Sequence, residues 1–503
     1  MKFLKHKSEW IVFLIIVLIF SYVRLKPMYL EAVGYTYDQG RDFLKAAELV
    51  TQRNPTFIGP TTGIAGIFHG AWWYYLLGIG FIIFHGSPIG FYYFNFIIQA
   101  AVFILFYLFS RKYFDTITAL ILAWIIATAP YLIFDTIFIA NNVMAMATFP
   151  ILLMSTLLLF DKRNKLLVGK KNIVWLLPFL TGLFLGFAAE FEFALGLLLT
   201  PIFVILLLVF NWWKKVLNSV RDYALFFIGL FIPFSLRLLF EVKNNFPQTK
   251  VLLSFITNPQ YNTPKPYKDI LTDRITLFIG YYNGIFMNDM TKVILTAVLL
   301  FFLALFLYRR KINAGFFFTL ILGILLFIFS TFYKDTFWTY YYDGIQYLFI
   351  ILMGFLLSTT LPAYKKQIAI FRICLLSVLI IMSVTKLAKE AQADYYYDGI
   401  IVQKDIVEYI QTNEKNDAYC VKIYTPPVIP YTYDYLFFYK NYIGEKPLPE
   451  KDWQDKKCWI ILESGAYPEF KEKWISDNIP TTATRLSTKR IKDVDVELWQ
   501  VAE

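Results

Sequence analysis

The chain is predicted to be a polytopic α-helical membrane protein with 11 or 13 transmembrane helices. A long first outer loop carries an amphipathic helix, and a small extracytoplasmic α/β domain closes the C-terminus. Three observations lead there. Of 503 residues, 58% are hydrophobic and only 17% charged, against about 45–50% and ~25% in soluble globular proteins. That apolar excess exceeds what one soluble core can hold, because single cores stop growing at about 250–300 residues. The basic residues, which give a net charge of +11, fall in short clusters between apolar runs. This is the orientation signal of membrane insertion and argues against a nucleic-acid partner.

The apolar runs fall near 10–25, 71–84, 90–110, 114–133, 143–160, 174–191, 194–211, 223–240, 291–308, 314–331, 344–361 and 368–386, most of them near the roughly 20 residues a crossing requires. The first follows Lys2, Lys5 and Lys7. Arg24, Lys26 and Pro27 stand after it where a signal peptide would have its cleavage site, so it reads as an uncleaved span with a cytoplasmic N-terminus in the inner (plasma) membrane. Basic residues at Arg111–Lys112, Lys162–Lys171, Lys214–Arg221, Arg309–Lys311 and Lys365–Lys366 mark cytoplasmic ends. Working back from the last three clusters puts 241–290, 332–343 and everything beyond 387 outside. Loop 26–70 also belongs outside and the 161–171 cluster inside, yet four runs lie between them where an odd number is required. Either 71–84 falls short of a crossing or the stretch after Pro130 hides another.

Two domains follow, a membrane domain over 1–390 with outer loops 26–70 and 241–290, and an extracytoplasmic domain over 391–503. In the first loop Phe43, Ala46, Ala47 and Val50 recur at helical spacing, so 38–50 reads as an amphipathic helix on the membrane surface. Loop 241–290 is polar and rich in Pro and Asn. The tail alternates short strands, at 418–424, 458–462 and 494–501, with short helices. Of three cysteines, Cys374 lies in an apolar run and acts as a small hydrophobe. Cys420 and Cys458 lie in strand-like runs and can pair if the tail is exported, provided their geometry allows it.

Binding residues concentrate on loops held by a rigid scaffold. Asp38 and Asp42 are four apart and share a helix face, with Arg41 beside them and Gly40 permitting a sharper turn. Such a pair suits a general base or a divalent metal. The same residues also suit a helix start, where acids satisfy free amides. His69 stands where the loop meets the next helix, either as an interfacial hydrogen-bonding group or as a site residue. Trp72, Trp73, Tyr74 and Tyr75 read first as an aromatic belt and second as a sugar-stacking platform. Glu190 and Glu192, acids at the outer end of a helical hairpin, either mark function or pair with a basic group. Glu241 and Lys243, with Arg237, suit a salt bridge.

Tyr37-Asp38-Gln39-Gly40-Arg41-Asp42, the Ile58-Gly59-Pro60 turn, Phe68-His69-Gly70 with Trp73-Tyr74-Tyr75, Asn141-Asn142, Phe191-Glu192 and Phe240-Glu241-Val242-Lys243-Asn244-Asn245-Phe246 occur in that order. Together they resemble the membrane-embedded C-type glycosyltransferases, in particular bacterial relatives of the protein O-mannosyltransferases and the lipid A aminoarabinose transferases. The resemblance covers about 1–390. It implies an inverting enzyme that moves a sugar from a polyprenyl-phosphate donor in the bilayer to a protein, lipid or glycan acceptor outside. It casts Asp38 as base and Asp42 as second candidate, and it puts His69 where relatives carry a charged residue facing the donor phosphate. Arg41, Arg237, Lys243 and Arg274 are candidates for that phosphate, and Tyr74, Glu190, Glu192 and Glu241 for substrate. Relatives often carry a further acid in a later outer loop. This chain has Asp135 and Asn141-Asn142 in that neighbourhood, so no cofactor is assigned, and any divalent metal would fall to Asp38 and Asp42. The alternatives are a secondary transporter coupled through Glu190 and Glu192, which would show repeated halves, and a non-catalytic envelope assembly protein acting through its tail.

Overall fold

In the computed structural model, which describes residues 2–160, 167–168, 171–172, 174–211, 213–259, 261, 263–309, 313–392, 399–414, 418–426, 428–453, 457–465 and 467–502, every predicted apolar run is helical. Among the described residues, seven helices are long and apolar enough to cross a bilayer: Ser8–Tyr29, Pro88–Tyr113, Asn141–Phe160, Val174–Phe191, Val220–Lys243, Asp289–Arg309 and Pro362–Lys389. Thr116–Thr128 and Pro130–Thr136, bent by 59° at their break, make eight when the pair is taken as one span. Pro130 lacks an N–H and forces Ala129 into extended backbone, which breaks the helix there. Trp72–Ile83, Phe193–Val209, Ala314–Ser330 and Ile345–Leu357 are shorter apolar helices. The 12 residues of Trp72–Ile83 rise only about 18 Å at ~1.5 Å per residue. Leu18, Ile228, Leu300 and Ile381 stay exposed on the outside of the bundle, as lipid-facing residues do. Of the basic clusters, Lys162, Arg163, Lys165, Lys170, Arg310 and Lys311 lie outside the described residues, as do the side chains of Lys2, Lys5, Lys7, Lys171 and Lys215.

The first loop holds the expected helix, Tyr37–Thr51. Its apolar face does not lie on lipid. Phe43, Ala46 and Ala47 are buried, Phe43 stacking on Phe91 of the membrane bundle at 4.0 Å. Tyr435, from the tail helix Tyr431–Tyr442, meets Phe43 edge-on at 5.3 Å. Gly40 is regular helix rather than a turn, and its missing side chain admits the backbone of Tyr431 and Thr432, which a Cβ would strike. The loop helix is therefore clamped between bundle and tail.

Region 241–290, read from the sequence as a polar outer loop, is largely helical. It contains helices Pro247–Thr257 and Tyr267–Asn283. Pro247 opens the first, and Pro266 sits at the cap of the second, positions where a missing N–H breaks no helical bond.

The tail forms a four-stranded sheet in the order Val421–Tyr424, Lys457–Leu462, Val494–Val501, Ala483–Ile491. The first pair is parallel and the others antiparallel. Strand Ala483–Ile491 went unpredicted because it is an exposed edge rich in charge and hydroxyls, without apolar alternation. Register places Cys420 beside Cys458, and the two form a disulfide. The predicted domain boundary at 390 adjoins 393–398, which lie outside the described residues. Beyond it Ile400 N donates to Val33 O at 2.9 Å, Lys404 pairs with Glu31, and Tyr435 donates to Gly86 O at 2.7 Å. Gly399, at φ +66°, presses on the Val33 backbone.

Gly40→Ala tests the clamp. Helix propensity alone favours Ala by about 1 kcal/mol, whereas overpacking against Tyr431 and Thr432 costs about 1–3 kcal/mol. Lower thermal stability of the detergent-solubilised variant, with faster proteolysis of the tail, is the expected outcome.

Candidate active site

At the start of the loop helix, capping falls to Thr36 and Gln39, whose Oε1 accepts from Thr36 N and Oγ1. Asp38 is thus not spent on the helix start. Its Oδ1 lies 2.8 Å from Arg41 Nη1, with the side chain half exposed at 51%. Asp42 Oδ1 takes Arg41 Nε at 2.9 Å and Nη2 at 2.8 Å, and its Oδ2 takes Trp73 Nε1 at 2.7 Å. One guanidinium therefore ties the two carboxylates together. Burial pushes the Asp42 carboxyl up to about 6, against the opposing pull of Arg41 and Trp73.

These residues line one wall of a cavity of about 540 Å³. Its other walls are interrupted helix ends. The second half of the bent pair brings Tyr131 and Asp135, the start of Asn141–Phe160 brings Asn141 and Asn142, and Glu192 stands between two helices. Tyr340, Tyr341 and Asp343 precede Ile345–Leu357. Side chains stitch these ends together. Asn141 Nδ2 donates to Phe191 O at 2.7 Å, Glu192 Oε1 accepts from Ala194 N at 3.1 Å, and Asp343 accepts from Tyr131 Oη at 2.6 Å and from Asn142. Burial pushes both the Glu192 and Asp343 carboxyls upward.

His69 reaches the cavity from a narrow excursion of the first loop, in which Gly59 N donates to His69 O at 2.9 Å and His69 N to Pro60 O at 2.8 Å. Its Nδ1 accepts from Phe193 N at 3.3 Å. Burial, reinforced by the charges of Arg237 and Arg41, holds the imidazole down to about 3. It is therefore uncharged at neutral pH, unlike the charged residue the resemblance puts there. A second, apolar cavity of about 80 Å³, walled by Ile64, Leu197, Phe255 and Phe337, meets the polar one at Thr62, Gly63, His69, Glu192 and Tyr341.

Several candidates lie elsewhere. Glu190 is buried in an ion pair with Arg237 at 2.6 Å, and Arg237 Nη1 also donates to Gln248 Oε1 at 2.9 Å. The expected bridge among Arg237, Glu241 and Lys243 is replaced. Glu241 instead caps Pro247–Thr257, accepting from Gln248 N at 3.1 Å and Thr249 N at 2.9 Å, and Lys243 is exposed. Arg274 is buried and donates to the carbonyls of Ser330 and Tyr333 at the end of Ala314–Ser330. Tyr74 lines a different pocket. Sequence reasoning missed Tyr131, Tyr340, Tyr341 and Asp343. The available signal was a single acid among tyrosines, before Gly344, at an outer boundary. Nor do Asp38 and Asp42 fit a metal: Arg41 holds the place between them, and among the described residues no group of three or more His, Cys, Asp or Glu is arranged to hold one.

No protein family and no curated protein matches the chain in sequence. In fold it is similar to the crystal structure of ArnT from Cupriavidus metallidurans bound to undecaprenyl phosphate. That match has a TM-score of 0.58 at 12% identity and covers 97% of this chain and 98% of that one. The apo state of ArnT from Cupriavidus metallidurans gives a TM-score of 0.60 at 13% identity over 96% and 97% of the two chains. The shared architecture therefore takes in both the membrane bundle and the tail.

Because the folded-state value of Asp42 lies above its ordinary one, its contribution to stability is complete below about pH 4 and is lost as pH rises through about 6. The Trp73 indole donates to this carboxylate and should report its ionisation. A tryptophan fluorescence change with a midpoint near pH 6 is expected, absent from both Asp42→Asn and Trp73→Phe.

Proposed function

We propose that the chain is a multi-pass membrane glycosyltransferase that moves a sugar from a polyprenyl-phosphate donor to an acceptor at the extracytoplasmic face. One observation carries this reading: a carboxylate-walled polar cavity, with half-exposed Asp38 held by Arg41, opens onto an apolar groove at His69 and Glu192. A donor with a long hydrocarbon tail and a polar head needs that junction of surfaces. The fold supports the reading, since ArnT is a C-type glycosyltransferase and shares its architecture with nearly the whole chain.

Asp38 acts as general base on the acceptor hydroxyl. The acceptor oxygen bonds to the anomeric carbon and the carbon–oxygen bond to phosphate breaks, so polyprenyl phosphate leaves with the electron pair and the proton remains on Asp38. Direct displacement inverts the anomeric configuration. Asp42 fixes Arg41, and through it Asp38, in place. Glu190 is spent on Arg237 and Glu192 on a helix cap, which weakens the transporter alternative, and the tail packs on the loop helix rather than standing apart as a scaffold. The N-terminus is cytoplasmic and the tail outside, with an odd number of crossings in which Trp72–Ile83 stops short. The Cys420–Cys458 disulfide supports an oxidising location for the tail.

Asp38→Asn is expected to lower transfer by about 10²–10⁴-fold with membrane expression unchanged, measured as conversion of polyprenyl-phosphate sugar to free polyprenyl phosphate. Near-normal conversion by this variant would overturn the assignment.

A further inference from the structure

A pocket of about 590 Å³ shares Arg41 with the polar cavity. Its floor is the outer side of the loop helix, with Lys45, Glu48 and Gln52. Tyr74 and the 56–59 turn close one side, and Tyr431 and Phe438 of the tail close the other. Arg41 lines both cavities, so the two chambers meet at the residue that holds Asp38 and Asp42. The mechanism above uses the polar cavity and the apolar groove and leaves this pocket unassigned.

We propose that this pocket is the acceptor site and that it takes a carbohydrate hydroxyl, an inference that rests on the glycosyltransferase reading. Position argues for the acceptor. Displacement at a carbon needs nucleophile and leaving group on opposite faces. The carrier is assigned to the junction at His69 and Glu192, while this pocket adjoins the polar cavity at Arg41, so donor and acceptor have separate chambers. The lining argues for carbohydrate. Tyr74, Tyr431 and Phe438 offer ring faces for the C–H face of a sugar, while Glu48, Thr51 and Gln52 offer short polar groups for its hydroxyls. The lining contains helices and a turn but no strand, so it offers no edge for a peptide to dock on by strand addition. The charges present are already paired, Lys45 with Glu48 at 2.9 Å and Arg41 with the two aspartates, which suits a neutral ring over an ionic headgroup. The tail then supplies one wall of the acceptor site, and its docking on the loop helix gains a purpose.

The test uses the full chain in native-membrane vesicles, with release of free polyprenyl phosphate from polyprenyl-phosphate sugar as one readout. Binding of undecaprenyl phosphate to the purified protein is the second. Gln52→Trp fills the pocket from an exposed position, and Phe438→Ala removes a ring. Both are expected to lower release by about tenfold or more while undecaprenyl phosphate binding stays within about twofold of the parent. Added glycan fragments of the cell envelope should raise release by Phe438→Ala toward the parent level, and a peptide digest should not. Parent-level release in both variants, with Asp38→Asn inactive, overturns the acceptor assignment and leaves the reaction standing. Parent-level release in Asp38→Asn as well overturns the reaction itself. Loss of undecaprenyl phosphate binding in both pocket variants, or rescue by the peptide digest, overturns the carbohydrate assignment.

Discussion

Where water is scarce, a backbone N–H or C=O left without a partner costs several kcal/mol, and this constraint shapes the whole site. Apart from the loop helix and the turn carrying His69, the walls of the polar cavity are interrupted helix ends, and each interruption exposes such groups. Arg24 answers at the break before Pro130. Buried in the first span, it donates to Ala127 O at 3.0 Å, Ile126 O at 3.2 Å and Thr136 Oγ1 at 3.2 Å, holding both halves of the bent pair. Asn141 and Glu192 do the same around Phe191, and Arg274 at the end of Ala314–Ser330. Two of these side chains, Asn141 and Glu192, also line the polar cavity.

Electrostatic balance follows from that arrangement. Carboxylates crowd one cavity, and burial pushes the deeper ones, Glu192 and Asp343, toward their neutral forms. Arg41 resolves the competition near the loop helix, bonding Asp38 and Asp42 at once while leaving Asp38 half exposed. Deeper in, Tyr131 and Asn142 donate to Asp343. Two acids four residues apart on one helix thus end in different environments, one accessible and one locked.

Hydropathy made the bundle legible, because lipid demands long apolar helices and leaves little freedom in where they begin. The Asp38–Asp42 pair was legible for a related reason: acids are scarce here, and two on one helix face at a boundary stand out. What the sequence concealed was which acids structure would consume. Glu190 and Glu241 look as exposed to function as Asp38 does, yet an arginine 47 positions away and a helix start absorb them. Asp343 escaped notice because its partners, Tyr131 and Asn142, lie some 200 residues earlier. The edge strand Ala483–Ile491 escaped because both of its faces are largely exposed, which removes the alternation that announces a strand.

The clamp at Gly40 has a consequence for how the protein is made. The loop helix is among the first segments to be synthesised, while Tyr431 and Thr432, which close on it, come nearly 400 residues later. At about 5–20 residues per second, the interval is on the order of 20–80 s. During it the bundle can insert and pack while the outermost wall of its site waits for a partner that does not yet exist. A chain cut short before Tyr431 would therefore carry the candidate acids without the surface that seats them, so completion of the site waits on synthesis of the tail.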